Sequence, residues 1–485
     1  MILQQNNYEC EYEMKLFYNL FFSEDEDIFV FQNFDYKNNE INVYTHIIYE
    51  EKSFFEDYYY HFDENEVKNE KRADALKKKI FTAACTKSFI HCAKKIKNVE
   101  LPWGVMCGIR PAKNVREFIE AGYDENEIKE ILSHIYEVNE EKAELAYTVA
   151  KNEELLLKKI GKNSVSLYIG IPFCPTRCLY CSFVSTDIRV SGKYMSEFVE
   201  KLLLEIDKTA EIIEKLSYIV ENIYIGGGTP TTLSEEMLEK VLNRLKEKFS
   251  FSNLREFTLE AGRVDTITEE KLKIAKKYGV NRISINPQTM NDETLKRVRR
   301  SHDSKMIIKT YEIAKNVGFD VINMDLIAGL PGESFEMFKY SLDEIIKLNP
   351  ENITVHSLCL KRAASMRHSD ESFAEAKIMN EMLSYTQKRM KETGRKPYYM
   401  YRQKNISGNL ENVGYSYDDC MSAYNINIME EKQTIIAMGG GGSTKLVLKD
   451  SIERIFNFKD PLEYIRRFDE ILDKKDEMLE VLKNG

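Results

Sequence analysis

Between residues 161 and 360 the chain alternates six short apolar segments with five long amphipathic stretches. The apolar segments are VSLYIGI (165–171), NIYIGGG (222–228), EFTLEA (256–261), NRISINP (281–287), VINMDLIAGL (321–330) and NITVHSL (352–358). Helical periodicity fills 193–216, 234–248, 268–278, 291–317 and 334–348. Strands alternating with helices at this spacing pair through right-handed crossovers, which makes the sheet parallel. Six units in about 195 residues fall short of the eight units and roughly 250 residues of a closed barrel. The expected fold is α/β, with a partial, open (β/α)6 TIM-like barrel at its centre.

The flanks read differently. Residues 1–160 are expected to form a small α/β domain of their own. Three β-like runs, KLFYNLFF, IFVFQNF and INVYTHIIYE, occupy its first third, and a basic helical stretch follows from about 69 to 97. Pro111, closing LPWGVMCGIRP, suits the first turn of a helix. Residues 361–485 are expected to be a mainly helical extension serving as a substrate-binding or lid region. Its helices, over 371–393 and 460–483, flank the irregular aromatic piece KPYYMYRQKNISGNLENVGYSYDDC and a glycine run.

Charge narrows the partners. Residues 1–66 hold sixteen acidic side chains against three lysines, the wrong sign for a nucleic-acid arm. No apolar run approaches the ~18 residues of a membrane span, and no basic region precedes an apolar one at the start. A cytoplasmic protein is expected. Nine cysteines without a secretory signal point to free thiols or metal ligands rather than a disulfide framework.

Three of those cysteines cluster. IGIPFCPTRCLYCSF (169–183) places Cys174, Cys178 and Cys181 within eight residues. A structural zinc site needs four protein ligands, and no second CxxC supplies a fourth; His302 and His356 are remote alternatives. An iron–sulfur cube held by three thiolates leaves one iron open. A missing ligand is a defect in a structural site and a working position in a catalytic one, so the spacing favours the cube over zinc.

Other unusual residues fall where the strands end. GGGTPT (226–231) follows the second strand, Glu260 ends the third, Gln288 follows the fourth, and Asp325 interrupts an apolar fifth. Parallel barrels gather their active sites at the carboxyl ends of the strands. Triple glycine lets a backbone approach a ligand closely.

YIGIPFCPTRCLYCSF, GGGTPTTLS, TLEAGR, RISINPQTM and DLIAGLPGE together resemble the radical S-adenosylmethionine enzymes of the oxygen-independent coproporphyrinogen III oxidase family. The likeness is greatest to its coproporphyrinogen dehydrogenase branch, which carries an extra amino-terminal domain. It is strong over 160–360, looser over 100–112 and 395–445, and slight over 1–60. The resemblance implies a barrel of the radical S-adenosylmethionine type. It also implies a [4Fe–4S] cluster on Cys174, Cys178 and Cys181, with one or two molecules of S-adenosylmethionine against Tyr168, Tyr180, Gly227, Gly228, Thr229, Glu260, Gln288, Arg300 and Asp325. The activity implied is heme-biosynthetic: a 5′-deoxyadenosyl radical decarboxylates coproporphyrinogen III to protoporphyrinogen IX, with electrons from a donor such as flavodoxin or ferredoxin. Arg110, Arg402 and Lys404 are candidate partners for the substrate's propionates.

Two positions depart from the family pattern: Gly170 stands where its oxidases often carry His, and Phe183 where some carry a further Cys. Two other readings of the same motifs therefore stand beside the oxidase, a radical enzyme that opens the heme ring and a heme chaperone that keeps the cluster.

Overall fold

The computed structural model describes residues 1–23, 25–62, 73–106, 108, 110–183, 185–359, 375–403 and 409–484. These fall into two compact units, one of residues 1–151 with 400–411, the other of 152–399 with 412–485.

In the first unit β1 (Ile2–Asn6), α1 (Glu11–Phe21), β2 (Ile28–Lys37), β3 (Glu40–Tyr49), β4 (Lys52–His61) and α2 (Ala73–Lys94) follow in order. The strands form one sheet, β1-β2-β3-β4, parallel at β1–β2 and antiparallel elsewhere. KLFYNLFF, expected as a strand, lies in α1. Met14, Phe17, Tyr18 and Phe21 recur at helical intervals and are buried, so the 3.6-residue period wins over the aromatic composition. α2 packs on β3 and β4, with Thr45 of β3 meeting Ser88 at 2.6 Å, and buried Gln32 of β2 donates to the Cys85 carbonyl at 2.8 Å. A fully buried ion pair, Lys142 Nζ to Glu411 Oε1 at 2.6 Å, shares its carboxylate with Trp103 Nε1 at 2.7 Å.

The second unit holds the repeating pattern. Its parallel strands are β5 (Ser164–Ile171), β6 (Ile219–Gly227), β7 (Glu256–Glu260), β8 (Arg282–Ser284), β9 (Val321–Ala328) and β10 (Asn352–Ser357). The crossing helices are α3 (Met195–Lys215), α4 (Glu235–Lys248), α5 (Glu269–Lys277), α6 (Ser304–Val317) and α7 (Phe335–Leu348). Ser234, Thr268, Asp303 and Ser334 cap four of them, each side chain accepting a backbone N–H in the first turn. This is the partial (β/α)6 barrel of the sequence reading. The single helix expected over 291–317 is instead two, Asp292–Arg297 and α6. Between them Val298, Arg300 and His302 turn inward and are buried.

The extension contains the expected helices, α8 (Ala376–Glu392) and, after several more elements, the terminal Phe468–Asn484, and it also adds strands. These are β11 (Lys396–Arg402), β12 (Glu411–Ser416), β13 (Thr434–Gly439), β14 (Ser443–Val447) and β15 (Ile452–Phe456). They continue the barrel sheet on both sides, in the order β11-β12-β10-β9-β8-β7-β6-β5-β13-β14-β15. β13 runs parallel to β5, making seven parallel strands, while β12 is antiparallel to β10.

One buried carboxylate fastens this edge. Glu205 of α3 accepts from the Gly439 N–H at 2.8 Å, Asn457 Nδ2 at 2.8 Å and the Tyr464 hydroxyl at 2.6 Å, and pairs with Lys475 Nζ at 3.1 Å. Removing one member strands a buried charge. Glu205→Ala is expected to cost about 3–5 kcal/mol, and the matched Glu205→Leu with Lys475→Met to recover much of that loss, as read from urea denaturation of the three proteins.

Candidate functional site

The site assembles from the register between β5 and β6. Ile171 lies opposite Gly227, so the chain leaving β5 toward the cysteines runs beside the triple-glycine turn. The Gly228 N–H donates to the Ile171 carbonyl and the Thr229 N–H to the Phe173 carbonyl, both at 2.8 Å. Gly227 has φ +110°, which only glycine adopts readily, and a Cβ on Gly228 would stand 2.6 Å from the Phe173 oxygen. No larger residue fits this approach.

That contact fixes the cysteine loop. Cys174 and Cys178 are buried and Cys181 is partly exposed, and all three thiols are free. The Cys174 sulfur lies 3.4 Å from the hydroxyl of buried Thr229. The loop rests on the inward-turned segment after the fourth strand, where the Leu179 N–H donates to the Val298 carbonyl at 3.3 Å. Burial pushes the Cys174 thiol up and the Cys181 thiol up to about 11.

Two guanidinium groups stand beside the loop. Arg263, 3% exposed, donates from Nη1 to the Cys178 sulfur at 3.4 Å and grips Asp265 through Nε at 2.9 Å and Nη2 at 2.7 Å. Arg300 donates from Nε to the Tyr180 hydroxyl at 3.1 Å and from Nη1 to the Asn286 carbonyl at 2.6 Å. His302, with both ring nitrogens buried and unbonded, is 3.9 Å from Asp265, and His356 is 3.6 Å from Asp325.

The barrel interior carries the remaining candidates. Tyr168 and Tyr224 stack with ring centroids 6.2 Å apart, and Tyr224 stacks on Tyr424 at 4.6 Å. Loss of water around Glu260, reinforced by the negative charge of Asp325, raises its carboxyl to about 8. Asp325 accepts from Asn323 Nδ2 at 2.8 Å. Gln288 adopts φ +69°, unusual for a residue with a side chain, and its buried Oε1 has no hydrogen-bond partner. Asn286 Oδ1 is likewise buried and unpartnered.

Each group of sequence candidates has a definite place. Cys174, Cys178, Cys181, Tyr168, Tyr180, Gly227, Gly228, Thr229, Glu260, Gln288, Arg300 and Asp325 all lie in the second unit, on its strands or in the segments that follow them. Arg110 and Arg402 belong to the first unit. Arg402 is buried, donating to the Met106 carbonyl at 2.6 Å and the Gly108 carbonyl at 2.7 Å and lying over Trp103. Lys404 lies outside the described residues. Arg263, Asp265, Tyr224 and Tyr424 escaped the sequence reading; Arg263 follows Glu260 by three positions, and that proximity was the available signal.

These residues fit an iron–sulfur cluster with an adenosyl ligand. Among the described residues no three His, Cys, Asp or Glu side chains group around a single metal ion, whereas a cube asks each thiolate for a separate iron. The orphaned oxygens of Gln288 and Asn286 and the glycine cradle provide polar atoms and backbone for a small polar ligand.

Comparison with known proteins agrees. Residues 168–345 match the radical SAM superfamily model. The oxygen-independent coproporphyrinogen-III oxidase-like protein HemZ of Bacillus subtilis is 41% identical over 389 residues, 78% of this chain and 77% of HemZ. The heme chaperone HemW of the same organism is 37% identical over 199 residues, 40% of this chain and 51% of HemW. In structure the chain is similar to coproporphyrinogen III oxidase HemN from Escherichia coli, a radical SAM enzyme, with a TM-score of 0.54 and 23% identity over 66% of this chain and 72% of that one. The chain belongs to the radical SAM superfamily and, within it, to the family of oxygen-independent coproporphyrinogen-III oxidase-like proteins.

Proposed function

We propose that this protein is a radical SAM oxidoreductase that decarboxylates propionate side chains of coproporphyrinogen III to give protoporphyrinogen IX. The cofactors are a [4Fe–4S] cluster and S-adenosylmethionine, which when bound supply reductive radical chemistry. The observation that carries the substrate assignment is the reach of the likeness to HemZ: 389 aligned residues exceed everything from residue 161 onward, so the match extends into the amino-terminal part. The likeness to HemW spans about half that length.

On this reading the protein's own residues divide the work. Cys174, Cys178 and Cys181 hold the cluster, and the turn at Gly227, Gly228 and Thr229 offers backbone groups to the methionine end of the cofactor. Glu260, Asp325 and Gln288 supply acceptors for its amino or ribose donors. Arg300 offers charge to a carboxylate, and the Tyr168 and Tyr180 rings close the pocket against water. Arg110 and Lys404 remain the proposed cationic partners of the propionates, and Arg402, tied to the Met106 and Gly108 carbonyls, would stiffen the backbone that precedes Arg110.

The deciding experiment is anaerobic incubation of the reconstituted protein with S-adenosylmethionine, a low-potential reductant and coproporphyrinogen III. Protoporphyrinogen IX and carbon dioxide are expected, together with 5′-deoxyadenosine. Cofactor cleavage without decarboxylated product would overturn the substrate assignment, and tight heme binding without cleavage would favour the chaperone reading. Cys178→Ala is expected to abolish the visible thiolate-to-iron absorption; a full cluster in that variant would exclude this ligand set.

Glu260 adds a pH signature. Its folded carboxyl holds a proton up to about 8, whereas the unfolded one releases it near 4.5, so folding stability attributable to this group falls as pH rises across that window. In cofactor-free protein Glu260→Gln should therefore gain on the wild type between pH 4.5 and pH 8. Equal urea midpoints for the two proteins across the range would contradict the raised value.

A further inference from the structure

The guanidinium of Arg263 is held more tightly than loop anchoring requires. Nη1 donates to the Thr176 carbonyl at 3.1 Å and its hydroxyl at 3.2 Å, Nη2 reaches the same hydroxyl at 3.2 Å, and Asp265 takes the Nε and Nη2 edge. With every nitrogen engaged, the fork has one orientation, and that orientation aims Nη1 at the Cys178 sulfur, 3.4 Å away. The group is 3% exposed, so bulk water screens its charge little. Arg263 follows the third strand and Cys178 the first, so the contact is tertiary and depends on the fold bringing these two strand ends together.

We propose that Arg263 is a positioning residue that raises the reduction potential of the cluster by donating a hydrogen bond to the Cys178 sulfur, with Asp265 and Thr176 fixing its guanidinium. The inference rests on the reading of the three cysteines as cluster ligands. Taking up an electron makes the cluster more negative, and the electron density spreads onto its thiolate sulfurs. A cationic donor at one sulfur favours that state, and hydrogen bonds to sulfur are among the determinants of such potentials. Asp265 opposes this at longer range: its carboxylate orients the fork and offsets part of its charge. Arg263 and Asp265 therefore act in opposite directions on one quantity, while a purely structural role would make their losses alike.

The test is an anaerobic redox titration of the reconstituted full-length protein without S-adenosylmethionine, monitored by the spin signal of the reduced cluster, with iron and sulfide content measured in each variant. Arg263→Gln is expected to lower the ratio of reduced to oxidised cluster about tenfold at fixed ambient potential, a shift of about 59 mV for one electron. Asp265→Asn is expected to raise the ratio several-fold, because Thr176 still holds the fork. Arg263→Lys should fall between the wild type and Arg263→Gln, since an ammonium keeps the charge without the fork. Unchanged ratios in cluster-replete variants, or shifts of the same sign for Arg263→Gln and Asp265→Asn, would overturn the inference. Should Arg263→Gln fail to hold a cluster, Asp265→Asn decides alone, and the absence of a rise overturns it. A wild-type protein that takes up no cluster would instead defeat the reading of the cysteines.

Discussion

The pairing of β5 with β6 is the constraint from which the site follows. Parallel strands in register deliver their carboxyl ends to one rim, and here Gly170 faces Gly226 and Ile171 faces Gly227. A slip of one residue would turn every side chain of β5 to the other face and pull the cysteine loop away from the glycine turn. The two short hydrogen bonds from Gly228 and Thr229 to Ile171 and Phe173 lock the loop where the ladder ends. The thiols are thus placed by backbone, with side chains such as Thr229 and Arg263 refining their surroundings.

The departure at Gly170 has its explanation in the same region. A Cβ there would stand 2.5 Å from the Gly440 carbonyl oxygen, and one on Gly439 would stand 2.3 Å from the Gly170 carbonyl oxygen. The Gly440 N–H donates to the Gly170 carbonyl at 3.0 Å. The end of β13 packs directly against the end of β5, so a histidine cannot occupy position 170 unless the glycine run withdraws. Glycines at 170, 439 and 440 together allow the seventh parallel strand to meet β5 this closely at the rim. Phe183, the other departure, has a 68% exposed side chain, and its backbone N–H donates to the Cys181 sulfur.

The barrel was legible because its strands are buried on both faces and read as apolar runs; all six lie within a few residues of the segments seen in the sequence. The cysteines, glycines and strand-end carboxylates were legible because their residue types are costly at such positions without a role. What escaped is instructive. KPYYMYR reads as irregular because its tyrosines carry no clear alternation, yet Tyr398, Tyr399 and Met400 are buried in β11, with the Tyr398 hydroxyl accepting from Asn352 Nδ2 at 3.0 Å. The break at 298–303 was hidden because Val-Arg-Arg-Ser-His-Asp is acceptable helix surface by composition. Only the tertiary demand of the cysteine loop turns it inward. Arg263, within TLEAGR, shows its role only once Asp265, Thr176 and Cys178 surround it.

The contrast between the two ends of the barrel separates what holds the fold from what acts. β7 presents Glu256 and Glu260 four residues apart, hence on the same face of the strand. Glu256, at the amino end, accepts from the Ser422 hydroxyl at 2.8 Å and the Ala423 N–H at 2.7 Å, capping the helix Ala423–Glu430. Glu221 at the same end accepts from the Gly161 N–H at 2.9 Å and Gln433 Nε2 at 3.0 Å. Through Ser422, Ala423 and Gln433 these carboxylates bind the extension to the barrel floor. At the carboxyl end Glu260 sits against Asp325 with its proton held to about 8, and Gln288 and Asn286 keep buried oxygens without partners. The raised Glu260 carboxyl beside Asp325 and the unpartnered Gln288 and Asn286 oxygens place an energetic cost at the carboxyl ends of the strands, where parallel barrels gather their active sites.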